Sequence, residues 1–189
     1  MLKILVASRS PKLSKLLHEL MPEALQISVS SAQEAQTYLR QQVFDLCVIQ
    51  LPLPDEFGIR FARQCATQYP IGVLLLSKKE TYDQIAYQVK EDGIFVLGLP
   101  CSKEIIYQAL RCLHASCLQV QKANLQIQKL RRRIREDRLI YQAKLILIEQ
   151  YHWSEEKAHH YIEQLSMNSS QKKAAVAQMI VDKSMIELK

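Results

Sequence analysis

Along residues 1–112, short apolar runs alternate with stretches of helical period. Lys3–Ala7 (KILVA), Leu25–Val29 (LQISV), Asp45–Gln50 (DLCVIQ), Gly72–Ser77 (GVLLLS) and Gly93–Gly98 (GIFVLG) read as five strands. Between them Leu13, Leu16, Leu17 and Leu20 share one helix face, Ala35, Tyr38 and Leu39 another, and Ile59, Phe61, Ala62 and Cys65 a third. Strands this continuously apolar are expected to be buried on both faces of a parallel sheet, with helices above and below. The expected fold class is α/β, a five-stranded doubly wound parallel sheet over residues 1–112.

After Pro100 the period changes. Ser102 is placed to cap a helix with Glu104 in its first turn, and neither Gly nor Pro occurs from there to Lys189. Leu113, Ser116, Val120, Ala123, Ile127, Leu130 and Ile134 fall at alternating steps of three and four, a heptad seam. A coiled-coil helix over 113–135 is expected, with Val120, Ile127, Leu130 and Ile134 joining a second copy; packing of the stripe within one chain is the alternative. Residues 136–189 show three helical patterns, the makings of a small bundle. Leu139, Ile140, Ala143, Ile146 and Leu147 form the first stripe, and Ala158, Ile162 and Leu165 follow Ser154 as N-cap. Val176, Ala177 and Ile180 lie beyond a loop expected at Asn168–Ser170.

Composition narrows the class. A chain of 189 residues with 48% hydrophobic side chains can bury a full core. No apolar run reaches the roughly 18 residues of a membrane span, and the apolar start is too short for a signal peptide, so the cytoplasm is expected. Five cysteines without a C-x-x-C pair argue against a disulfide framework or a zinc site. Residues 1–112 carry 12 Lys/Arg against 11 Asp/Glu, whereas residues 113–189 carry 13 against 8. The basic surplus favours a polyanionic partner for the C-terminal part, or serves solubility alone.

In a doubly wound sheet, chemistry gathers at the carboxyl ends of the strands. Those ends hold Ser8 and Arg9, Gln50, Ser77 and Lys78, and Leu99 with Pro100. In this arrangement residues 1–112 resemble a response-regulator receiver of flavodoxin-like fold, with Ser77, Pro54, Gly58 and Pro100 matching that pattern. The resemblance implies that Ser8 and Arg9 stand where the family has two acids, Gln50 where it has the phospho-accepting Asp, and Leu99 where it has Lys. Val96, beside Phe95, stands for the reporting aromatic. A receiver needs carboxylates for Mg²⁺, a carboxylate nucleophile and a neutralising lysine. A pseudo-receiver kept for its shape is expected, with no metal and no cofactor. Asp55 or Glu56, on the following loop, could approach the pocket and replace the acids; Asp45 opens its strand, far from that end. Cys101 is read as an inert thiol.

Arg131, Arg132, Arg133 and Arg135 surround Leu130 and Ile134. The run is either a solvated face or a contact to nucleic-acid backbone. The segment LIYQAKLILIEQYHWSEEKAHHYIEQLSMN, followed by AAVAQMIV, resembles an ANTAR domain, the antiterminator module of receiver-linked regulators. Matching residue types stand at Ile140, Ala143, Lys144, Leu147, Ser154, Ala158, Leu165, Met167, Asn168 and Ala177. The resemblance implies binding of paired RNA hairpins in an mRNA leader through their loops, preventing a terminator. Ser169 and Ser170 replace common basic residues, with the charge displaced to Lys172 and Lys173, and Leu145 replaces a glycine. Lys144, Met167, Asn168, Lys172 and Lys173 are the candidates for loop contact, with the four arginines on backbone. His159 and His160 either stack on bases or sit on the surface, and Trp153 is read as a hydrophobic staple rather than a base platform. A homodimer is expected, with a sensor or sequestering protein as possible partner of the pseudo-receiver and no membrane role. A DNA-binding regulator lacks an evident recognition helix, and a phosphotransfer or other enzyme lacks the acids or any other catalytic pattern.

Overall fold

Strands β1 (Lys3–Ala7), β2 (Leu25–Val29), β3 (Leu46–Gln50), β4 (Gly72–Lys78) and β5 (Phe95–Leu99) form one parallel sheet in the order β2-β1-β3-β4-β5. The structure is a computed structural model that describes the backbone of residues 1–187 and the side chains of residues 1–183; the last two residues of the expected 136–189 segment lie outside it. Helices α1 (Pro11–Leu20), α2 (Ala32–Gln41), α3 (Ile59–Gln68) and α4 (Tyr82–Gln88) follow the first four strands. Strand alternation divides the core: Leu5, Ala7, Cys47 and Ile49 meet Ala35, Leu39, Phe61, Ala62 and Ile85, while Ile4, Val6, Leu46 and Val48 meet Leu13, Leu17, Ile106 and Leu110. The two helix layers expected of a doubly wound sheet are thus present.

Three expectations need correction. The strands are not all buried on both faces, because β2 and β5 are edges: Leu25 is 40% and Phe95 45% exposed, against 0% for Ile4, Leu46 and Leu74. Strand β3 begins at Leu46, one residue late, and just before it the Asp45 carboxylate accepts the Lys3 N–H at 2.7 Å. Strand β5 begins two residues late and ends one residue late, at Phe95–Leu99, Gly93 having φ 68° in the turn before it. Gly58 has a comparable duty: at φ 100° it starts α3, and a Cβ there would lie 2.5 Å from Leu51 Cδ2.

Helix α5 (Lys103–Tyr151) runs 49 residues without interruption, so the seam and the first bundle helix are one element. Ser102 Oγ accepts the Ile105 N–H at 3.4 Å, as expected of a cap. Helices α6 (Glu155–Ser169) and α7 (Lys173–Glu187) follow. The chain divides into two compact units, Met1–Lys122 and Ala123 onward. The second is built on Ala143, Leu147, Ala158, Ile162, Val176 and Ala177, all buried. Alanines at half of these positions let the helix backbones approach closely. The loop expected at Asn168–Ser170 lies two residues further on, at Ser170–Lys172. Helix α6 continues through Ser169, and the bonds Ser170 N–H to Met167 O and Gln171 N–H to Ser166 O then end it, with Ser170 at φ 53°. Among the described residues no helix is long and apolar enough to cross a membrane.

Candidate nucleic-acid interface and strand-end pocket

The order β2-β1-β3 puts the topological switch point between β1 and β3, where Ser8 and Gln50 emerge side by side. Ser8 Oγ donates to Gln50 Oε1 at 2.6 Å, and the Ser10 N–H closes back on Ser8 Oγ at 3.0 Å. Neutral groups therefore satisfy one another at this crevice. Ser77 is buried, its hydroxyl without a hydrogen-bond partner among the described residues, Arg9 is exposed, and Leu99 packs against the core beneath α1 and α5.

The loop acids serve elsewhere. Asp55 accepts the N–H groups of Ala32 at 3.0 Å and Gln33 at 2.9 Å, capping α2, and Glu56 accepts the Phe61 N–H at 2.9 Å, capping α3. Desolvation pushes the Asp55 carboxyl up, but the backbone N–H groups of Ala32, Gln33, Asp55 and Glu56 outweigh it and hold the carboxyl below its usual range. Neither acid replaces those missing at the strand ends. Among the described residues no group of three His, Cys, Asp or Glu side chains is placed to hold a metal ion. Burial pushes the Cys101 thiol up, away from the reactive thiolate.

The second unit carries a basic groove. Lys129, Arg132 and Arg133 on α5 face Lys172 and Lys173 at the start of α7, with Glu136 and Asp137 on one wall. Two clusters 40 residues apart in sequence, the arginine run and the displaced lysine pair, are thereby brought together. Arg132 lies 3.7 Å from Glu136, and Arg135 Nε donates to Arg131 O at 3.4 Å. Met167 is 78% exposed and Asn168 is exposed on the last turn of α6. Two of the candidate lysines are engaged. Lys144 reaches Glu155 at 3.3 Å, and Lys173 donates to Glu163, which also lies 3.3 Å from His159 Nε2. The Lys173 ammonium, assisted by His159 and His160, holds the Glu163 carboxyl below its usual range. Lys129 and Glu163 are additions to the candidate set. The first was visible as part of the basic run; the second was signalled only by its i,i+4 spacing from His159.

On α5 the seam positions are exposed: Val120 60%, Ile127 45%, Leu130 60% and Ile134 58%. The model of the family described as the ANTAR domain matches residues 128–181, the groove and the bundle core together. The chain carries an ANTAR domain. Its first unit has the receiver fold. It is 16% identical, with TM-score 0.55, to a response regulator receiver domain protein from Clostridium thermocellum, covering 65% of this chain and 98% of that one. The signal receiver domain of an HD domain-containing protein from Pseudomonas fluorescens Pf-5 gives 20% identity and TM-score 0.58 over 64% and 92%. At these identities the likeness is one of fold. The alginate biosynthesis transcriptional regulatory protein AlgB of Pseudomonas putida is 28% identical over 110 residues, 58% of this chain. The chain spans 24% of the length of that curated relative.

Proposed function

We propose that this ANTAR regulator is an RNA-binding antiterminator, a homodimer that holds paired hairpins of a nascent mRNA leader in the cytoplasm. The observation that carries this reading is the convergence of Arg132 and Arg133 with Lys172 and Lys173 in one groove. Five cations there against two carboxylates suit a phosphate backbone. Met167 and Asn168, on the exposed end of α6, are suited to the unstacked bases of a loop, whose edges a stem would hide. Lys144 serves only by leaving Glu155. Functionally the chain divides into a pseudo-receiver (1–112), a coil (113–135) and an RNA-binding module (136–189).

Salt titration separates the two kinds of contact. Replacing Arg131, Arg132, Arg133 and Arg135 with alanine should weaken binding to all RNAs and flatten the dependence of log K on log salt by about 0.7–0.9 per lost phosphate contact. Asn168→Ala should instead reduce discrimination between paired hairpins and loop-scrambled controls by about tenfold at fixed salt. Equal wild-type affinity for scrambled loops or duplex DNA at physiological salt would reduce the module to a general polyanion binder.

The receiver-like unit acts, in this reading, as a docking surface for dimer control or for a sensor or sequestering protein. An amide at Gln50 is not a phosphoryl acceptor, and Ser8 and Arg9 are not Mg²⁺ ligands. Incubation with acetyl phosphate and Mg²⁺ should leave the intact mass unchanged. One stable phosphoryl adduct on the unit would refute its silence.

A further inference from the structure

A second groove in the module is used by none of the contacts above. All three helices line it: Tyr151, Trp153 and Tyr161 supply its aromatic rings, and α7 supplies Met179, Ile180 and Lys183. The Trp153 ring centroid is 5.5 Å from that of Tyr151, tilted by 40°, and 5.1 Å from that of Tyr161, edge-on at 74°. A hydrophobic staple needs only one side chain folded onto the bundle, and half-buried Trp153 does pack on the core. That duty leaves Tyr151 at 56% and Met179 at 46% exposure unexplained. Lys157 Nζ, outside the lining itself, sits 4.6 Å from the Trp153 ring centroid, and Lys183 belongs to the lining.

Resting on the RNA-binding reading, we propose that this groove captures one unstacked purine base of the hairpin loop, with Lys157 and Lys183 meeting the phosphates on either side of it. The charge arrangement selects this occupant. An apolar segment of a partner would gain from the rings but would bring nothing to the two ammonium groups, whereas a nucleotide offers a π-face and an anion together. The larger face of a purine overlaps more of the aromatic wall than a pyrimidine does. Along α7, Lys173 in the basic groove and Lys183 are separated by roughly 15 Å at 1.5 Å per residue, a span that a few loop nucleotides can cover.

Trp153 is the single tryptophan of the chain, so its fluorescence reports on this groove alone. The full chain would be titrated with paired hairpins while filter binding follows the complex independently. The expected result is quenching with the same midpoint as filter binding, and a loss of about tenfold in affinity for Tyr151→Ala, which removes an exposed ring and no core contact. Making the loop purines abasic should give a similar loss, and Tyr151→Ala should then cost nothing more. Tight binding with unchanged fluorescence, or with additive losses from the variant and the abasic loop, overturns the assignment and leaves the groove to an apolar partner. If filter binding detects no hairpin complex at all, the RNA-binding reading fails and takes this inference with it.

Discussion

Replacing Ile127 and Leu130 with glutamate is expected to halve the mass measured by light scattering and to lower affinity for paired hairpins by on the order of a hundredfold. Val120, Ile127 and Ile134 are seven residues apart, as are Ala123 and Leu130, and all lie on an uninterrupted helix. Ile127 is 45% and Leu130 60% exposed in the single chain. Burying each against a second copy would contribute about 1.5–3 kcal/mol at most, so four new carboxylates in a dimer's seam outweigh the remaining apolar contacts. The loss of RNA affinity follows from arithmetic. Two linked modules bind a pair of hairpins at a high effective concentration, and a monomer does not. A single hairpin should therefore bind the variant nearly as well as the wild type. An unchanged mass would place the interface elsewhere.

Ile162→Ala is expected to destabilise the C-terminal helical module by about 2–5 kcal/mol. Ile162 is 1% exposed, packed with Ala143, Leu147, Ala158, Val176 and Ala177. A module this small has little stability in reserve, so a loss of that size unfolds much of it at 37 °C. Its core shares no residue with the two cores of the sheet domain. Calorimetry should accordingly show one transition moved down by many degrees and the other in place, with RNA binding lost in proportion. Ile162→Val, at about 0.5–1.5 kcal/mol, should move the same transition only slightly. A shift of both transitions together would show that the two units unfold cooperatively.

How far these features could be read from sequence depends on how local their causes are. Strands β1 and β2, the caps at Ser102 and Ser154 and the core stripe of the module are set by neighbours within a turn or a pleat, and they stand where the pattern puts them. Helix α4 was not anticipated. Its apolar positions, Tyr82, Ile85, Ala86 and Val89, make a stripe barely two turns long. The extension of α6 through Ser169 went unforeseen because its ending uses Ser170 in a conformation that usually announces itself by glycine. Pairings across the fold were beyond reach: Asp55 with the start of α2, Lys144 with Glu155, and Lys173 with Glu163 all depend on tertiary approach. The same holds for the aromatic groove, whose rings come from the end of α5, the following loop and α6. Tyr151 stands two residues from Trp153 in the sequence, but nothing local joins Tyr161 to them.

The helix caps at Asp55 and Glu56 set terms for anyone wishing to engineer a phospho-accepting switch into this chain. Gln50→Asp alone would supply a nucleophile without a metal, since the nearest loop carboxylates already hold the ends of α2 and α3. Recruiting either acid to the crevice would fray a helix, at about 1 kcal/mol for a lost cap. The economical route leaves both caps alone and rewrites Ser8, Arg9, Gln50 and Leu99 together. Partial versions, with a carboxylate facing Arg9 or a lysine at position 99 facing no anion, carry the cost of the change without the switch.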